Sequence, residues 1–518
     1  MSRNFEWTIE SIMSWSSSSS PAVASDSHYF YDACNTSTKC YLSAPLHIFQ
    51  IYLGQDTCRA LGPMEQYLSV DQEGSVLNKK SWNSIIESVD SLITTLPVMM
   101  GFVLSRMLCG HLPRLSTRRF LLEYMLVVIP TVIVFTVGSD FLHMYSIVYF
   151  LALVWYLRPR RELGLRNTKY EVGKRPLVFT LLRAICNCGT SFAILMVDFP
   201  VSPVRFRKSR TFGAAAMDMG IGIFVVTMGL VSHRARNLTD LKKLPRAVVP
   251  LLLLGLARTT VISMINYNHD VHEYGIHMNA FFILGLTKLF GSLCSLLASS
   301  DLQILGLAMG ILSMHELVLQ LGLCDYVMSD TVPRLGFLSS NREGLSSLPG
   351  CVALYLFSIY FGKWYTSQDH LTYTQLCSKL KRILLIAVVL WVMVILSAFL
   401  SGIARVTFNF GYVIWILFIS VVIILICAFF FELAFVQTRP TFGDCHKETA
   451  NSLPTFVESL NMNGLSYFLL SNFFTGMVNI FFDPNNRSNS ESVFILLAYV
   501  LICSMMVFIM HKKRIRIA

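Results

Sequence analysis

The residues from Asp198 to Arg210 put one carboxylate, one lysine and three arginines (Arg205, Arg207, Arg210) into a single short connection. Pro200 and Pro203 interrupt any helix there, so Asp198 and Lys208 lie on a turn able to bring them together. An acid and a base so placed could deprotonate a hydroxyl and stabilise a developing oxyanion. A plain ion pair anchoring the turn explains the same two residues. Twenty positions after Asp198, Asp218 falls about five residues into an apolar segment. A carboxylate at membrane depth is costly and points to function by default, although a buried acid that fixes packing fits equally well.

A second connection runs from residue 266 to 279 and carries His269, Asp270, His272, Glu273, Tyr274, His277 and Asn279. Three histidines among acids and amides suit a general base, a proton relay or hydrogen bonds to a substrate. Metal binding fits less well, because the spacing matches no zinc pattern such as HExxH, and no metal is expected. A third connection holds Arg334 and the run Asn341, Arg342, Glu343, Gly344. An arginine there could hold a lipid phosphate through two parallel hydrogen bonds; an Arg–Glu pair closing the loop is the alternative. Arg258, Lys288, His315, Glu316 and Glu432 stand as isolated polar groups inside apolar runs.

The elements that position these connections are membrane helices. Of 518 residues, 54% are hydrophobic and only 14% charged, against about 25% charged in soluble domains. The apolar residues arrive in blocks close to the ~20 needed to cross a bilayer as a helix. Such blocks are too long and too uniform for barrel strands, and lipid admits no other self-satisfied backbone. The expected fold is all-α and polytopic, with about 13 transmembrane helices at 90–109, 121–138, 141–157, 178–197, 213–232, 247–265, 279–299, 302–323, 347–362, 381–402, 411–436, 464–482 and 493–510. The absence of an internal repeat gives no support to an inverted-repeat transporter.

Basic residues set the orientation. Arg114, Arg118 and Arg119, the run from Arg158 to Arg175, the cluster from Arg234 to Arg246, Lys363 to Arg382, and the tail from Lys512 to Arg516 all fall on one side. That side is cytoplasmic by the positive-inside rule. The amino terminus is then lumenal and the carboxyl terminus cytoplasmic. The net charge of +11 is topological on this reading, and no nucleic-acid partner is expected. The connection from Asp198 to Arg210 breaks the pattern: it is cationic on the lumenal side, as though its charges were kept for chemistry.

Residues 1–88 form a polar, Ser-rich extension, read as lumenal, and residues 89–518 the membrane domain. The extension shows no basic start followed by a compact apolar core, so a cleaved signal peptide is not expected. Thirteen cysteines are scattered without CxxC pairs, which argues against a zinc site. Cys34 and Cys40 flank the sequon beginning at Asn35, where a disulfide and a glycan are both open to a lumenal segment.

Four motifs carry a resemblance. Asp198, Phe199, Pro200, Pro203, Arg205, Phe206, Lys208, Gly213, Met217, Asp218, Gly220 and Gly222 follow the first signature of the glycosylphosphatidylinositol (GPI) inositol acyltransferase family, called PIG-W in animals and Gwt in fungi. Tyr267, Glu273, Tyr274, Gly275, His277, Asn279, Phe281 and Phe282 match the second. Asn341 to Gly344 match its N-R-E-G, and the segment from Asn461 to Asn479, including Asn472, resembles its fourth. The likeness covers residue 90 to the end. Val204, Arg210, Asp270 and Met278 depart from the pattern; the loop base falls to His272 or His277, because Asp270 stands where the family has histidine.

The resemblance implies an acyltransferase of the endoplasmic-reticulum membrane that moves a fatty acyl group, typically palmitoyl, from acyl-CoA. The implied acceptor is the inositol 2-hydroxyl of glucosaminyl-phosphatidylinositol, during GPI-anchor assembly. Asp198 and Lys208 are the implied catalytic pair, with His277 positioning the inositol. Arg205, Asp218, His272, Glu273, Tyr274, Asn279, Arg342, Glu343 and Asn472 would line the substrate. No tightly bound cofactor is expected, only acyl-CoA as donor and membrane lipids as surroundings. The alternative class is a multi-spanning lipid transporter or flippase, which would move lipid without acylating it.

Overall fold

The computed structural model describes residues 75–157, 169–171, 176–237, 239–264, 270–368, 370–434 and 453–516. The extension with Cys34, Asn35 and Cys40, the basic stretch 158–168, Tyr267 and His269 lie outside the described residues. All thirteen apolar segments contain a helix: α1 (Ser75–Cys109), α2 (Thr117–Phe135), α3 (Leu142–Tyr156), α4 (Leu177–Met196), α5 (Met219–Leu230), α6 (Leu244–Met264), α7 (Ala280–Ser295), α8 (Asp301–Val318), α9 (Arg342–Tyr365), α10 (Tyr373–Leu400), α11 (Phe410–Cys427), α13 (Gly464–Phe481) and α14 (Asn489–Lys512). A short helix, α12 (Thr455–Met462), precedes α13. Helix α1 begins ahead of residue 88.

Among the described residues, nine helices are long and apolar enough to cross a bilayer singly. Helices α2 and α3 pass that test together but meet at 103°, as a broken span or a re-entrant loop. The apolar helices at Ala216–Leu230 and Ala280–Ser295 are shorter than a full crossing. The polytopic all-α fold is therefore observed, with these four helices departing from a series of uniform spans.

Polar side chains punctuate the series. Ser300, Thr372 and Ser488 each form a capping box with a Gln or Glu three residues on, which satisfies otherwise orphaned backbone N–H groups. Helices α9 and α11 are buried along most of their length. In α6, by contrast, only Val248 and Gly255 are buried, so that helix sits at the periphery. Helices α5 and α9 cross where Gly229 meets Tyr355 and Ser358, and Gly362 meets the backbone of Leu230. A Cβ at either glycine would enter its neighbour, as expected where membrane helices approach closely.

Helix ends gather into two faces. On one, Lys363 pairs with Asp301 at 2.5 Å, Arg114 pairs with Glu458, and the strands β1 (Lys169–Glu171) and β2 (His370–Thr372) pair antiparallel. On the other, Asn479 reaches Asp198, Arg205 reaches the carbonyl of Ser139, and Arg405 reaches Asp218. The three chemistry-bearing connections share this second face.

Candidate functional site

Two of the three connections are sewn together by backbone. The amide of Ile276 donates to Ser340 at 2.9 Å and that of Gly344 to Tyr274 at 3.1 Å. Asn341 Oδ1 accepts from the amides of His277 (2.8 Å) and Met278 (3.1 Å). Gly275 makes this seam possible: its φ is +101°, and a Cβ there would strike the backbone of Asn341. Arg334 grips Glu343 with both Nη atoms, at 3.0 and 2.6 Å, and this pairing raises the arginine pKa. Arg342 is buried and donates to the carbonyls of Val332 and Ser329. Of the two readings of this loop, the geometry favours the closing clamp over a phosphate site, because both arginines already have partners.

The first connection folds onto Asp218. That carboxylate accepts from the amide of Ser209 at 3.1 Å and from Ala215 at 3.2 Å, and pairs with Arg405 Nε at 2.9 Å. Asp218 ends a short 3-10 turn immediately before α5 instead of lying five residues into a helix. Residues 213–215 are held extended, with the Ala214 amide bonded to Glu87, so the helix starts later than hydropathy alone indicated.

Asp198 and Lys208 are not paired directly. Lys208 Nζ lies 2.6 Å from Glu273 Oε1, whereas Asp198 Oδ2 accepts from Asn479 Nδ2 at 3.0 Å. The turn does bring them within electrostatic reach. Burial pushes the Asp198 carboxyl above the usual aspartate range, against the pull of Asn479, Arg207 and Lys208. For Glu273, burial acts in the same direction but is outweighed by Lys208 and then Arg405, which hold it below the ordinary glutamate value. Burial also works against the charge of Arg405, and Glu273 and Asp218 together overcome it.

Lys208, Glu273, Tyr274 and Arg405 line one end of a cavity of about 800 Å³. Its walls follow α5 from Met219 towards Val231 and α6 from Arg258 back to Arg246, with α1, α2, α4, α7, α13 and α14 completing it. The roughly fifteen residues along α5 and its leading turn span about 20 Å at 1.5 Å per residue. Most of the lining is apolar (Phe192, Ile221, Phe224, Phe281, Leu284, Phe468), while Arg183, Arg246 and Lys288 border its other half. Asn472 lines the cavity and donates to the carbonyl of Phe468.

Other expected residues sit elsewhere. His277 stacks parallel to Phe337 at 6.3 Å between ring centroids and is not among the lining residues. His272 Nε2 is 3.4 Å from Asp330. Asn279 caps α7 by accepting from the amides of Phe281 and Phe282. Arg205 donates to the Ser139 carbonyl at 2.6 Å. No cluster of three metal-ligating side chains occurs among the described residues. The sequence reading passed over Arg405. Its signal was present: a lone arginine between two strongly apolar spans, on the same side as the other chemistry-bearing connections.

Fold and site together define a polytopic membrane protein built around an apolar chamber that ends in a charged cluster. The family profile described as GWT1 matches residues 72–510, and the chain belongs to that family. GPI-anchored wall transfer protein 1 of Schizosaccharomyces pombe is 33% identical over 348 residues, covering 65% of this chain and 72% of the relative. The human glucosaminyl-phosphatidylinositol-acyltransferase PIGW is 27% identical over 466 residues, covering 80% and 92%. An uncharacterized protein of Arabidopsis thaliana is 29% identical over 400 residues, covering 76% and 88%.

Proposed function

We propose that the chain is an acyltransferase of the endoplasmic-reticulum membrane that transfers a fatty acyl group from acyl-CoA to the inositol 2-hydroxyl of glucosaminyl-phosphatidylinositol. The observation that carries this reading is the apolar chamber ending at Lys208, Glu273 and Arg405. An acyl chain fits the apolar body, and its reactive carbonyl then lies at the charged end. Family membership and the names of the relatives support the acceptor. The cations Arg183, Arg246 and Lys288 on the other half of the lining suit a donor whose phosphates stay at the basic face, which is cytoplasmic on this topology. The charged cluster then faces the lumen.

The thioester is already activated, so the protein orients the hydroxyl, accepts its proton and steadies a tetrahedral oxyanion. The hydroxyl oxygen attacks the thioester carbonyl; the new C–O bond forms and the C–S bond breaks. Lys208 stabilises the oxyanion. Asp198, which stands beside Asn479 off the chamber wall and above the ordinary aspartate pKa through burial, takes the proton by way of water at the turn, and the proton ends on the departing CoA sulfur. Glu273 holds the Lys208 ammonium at the cavity wall. Incubating the purified full-length protein with acyl-CoA and glucosaminyl-phosphatidylinositol should yield lipid heavier by one acyl group in mass spectra. Unmodified lipid after such incubation, with the protein folded, would reject the assignment.

A further inference from the structure

The turn between α10 and α11 delivers an arginine to the charged end of the chamber, and its hydrogen bonding is incomplete. Asn409 folds the turn: its Oδ1 accepts from Ala404 and Tyr412, and its Nδ2 donates to Ser401 and Gly402. Arg405 therefore projects from a fixed backbone. Its side chain is only 6% exposed, yet among the described residues just one of its nitrogens has a hydrogen-bond partner, Nε with Asp218 at 2.9 Å. Nη1 stands 3.9 Å from Glu273 Oε1, beyond hydrogen-bond length. The guanidinium thus has one nitrogen engaged and the Nη edge unspent, in a residue that lines the chamber.

Charge around it is unbalanced. Among the residues that line this end, Lys208, Arg258 and Arg405 face a single carboxylate, Glu273, while Asp218 and Glu87 stand behind the wall. A surplus positive charge in a partly desolvated site favours an anionic ligand, and a planar guanidinium edge matches two oxygens of one phosphate. In an inositol phospholipid, the phosphodiester occupies the ring carbon adjacent to the one bearing the 2-hydroxyl. A phosphate-binding group must therefore stand beside the centre where that hydroxyl meets the thioester carbonyl, whose oxyanion Lys208 steadies. Arg405 meets that demand, because Glu273 lies next to both Lys208 and Arg405.

We infer that Arg405 binds the phosphodiester of the acceptor lipid and so sets the 2-hydroxyl beside Lys208, which makes it a specificity-determining residue. The inference rests on the acyltransferase reading above and assigns the lipid phosphate to the turn between α10 and α11, not to Arg342.

The test uses full-length protein in detergent, with acyl-CoA and glucosaminyl-phosphatidylinositol varied separately. Arg405→Gln should raise the acceptor KM roughly 10- to 100-fold, the range for a lost hydrogen bond to a charged group, and leave the donor KM within about twofold. Arg405→Lys keeps Asp218 paired and should fall between. Inhibition by myo-inositol 1-phosphate should weaken in Arg405→Gln, while inhibition by unphosphorylated inositol should not change. Because Arg405→Gln leaves Asp218 buried without its partner, the double variant Asp218→Asn/Arg405→Gln separates folding from binding. Acceptor KM and inositol-phosphate inhibition at wild-type values in Arg405→Lys and the double variant would overturn the inference. Wild-type protein that transfers no acyl group would instead sink the acyltransferase reading.

Discussion

Two carboxylates near Lys208 occupy opposite electrostatic situations. Glu273 stays ionised because two cations outweigh its burial; Asp198 has a raised pKa because burial outweighs its partners. A base must be ionised to act, so activity should fall as pH drops through the raised Asp198 value. The acid limb of the pH–rate profile is therefore expected above the usual aspartate range, and Asp198→Asn should remove that limb and lower the rate by about 100-fold or more. Stability has its own sign. The folded state binds this proton more tightly than the unfolded chain, so the ionised carboxyl lowers stability above the unfolded pKa. Asp198→Asn should thus leave the melting temperature unchanged or higher, the more so because Asn479 Oδ1 is buried without a partner among the described residues and an amide can donate to it. Lys208→Ala should cost about 100- to 1,000-fold in rate, the scale of a lost oxyanion donor. Wild-type turnover in Lys208→Ala would contradict its role.

At the scale of elements, the clamp of Arg334, Arg342 and Glu343 decides whether the second and third connections stay joined. Glu343 is 1% exposed and sits between two arginines. Glu343→Ala would leave those cations facing each other without their carboxylate, for a loss of about 3–5 kcal/mol. Thermal unfolding in detergent should show the fall even with substrate absent. Glu343→Ala melting as the wild type does would mean that the seam between Asn341 and His277 holds the loops unaided. Helix crossing offers a second check. Gly229→Leu would push α5 off α9 at Tyr355 and Ser358 and should reduce folded yield, a result read by size-exclusion chromatography.

Across the whole molecule, the chamber is a gap left among helices that are otherwise well packed. Its wall includes Gly189 on α4, where an added Cβ meets nothing within 4 Å. Gly189→Leu should therefore fold normally and occupy chamber volume. The expected result is a higher KM for a long-chain acyl-CoA than for a short-chain one, measured across a donor series. An equal effect on all chain lengths would argue that the acyl group lies elsewhere. The peripheral helix α6, which supplies Arg246, Pro250 and Arg258 to the wall, completes the enclosure while burying little of itself.

Apolar blocks of bilayer length required helices wherever they occur, since lipid offers the backbone no partner, and the loop motifs pointed to the family. Those inferences are local: they depend on runs and spacings readable along one chain. Hydropathy could not foresee the 103° bend between α2 and α3 or the late start of α5, because both are set by what the connecting residues bond to. Partner choice was likewise out of reach. Lys208 goes to Glu273, 65 positions away, and Asp218 goes to Arg405, 187 positions away. Distances between charges on separate connections are fixed only when the helices carrying them pack, so the site's members were legible one by one while its wiring belonged to the tertiary structure.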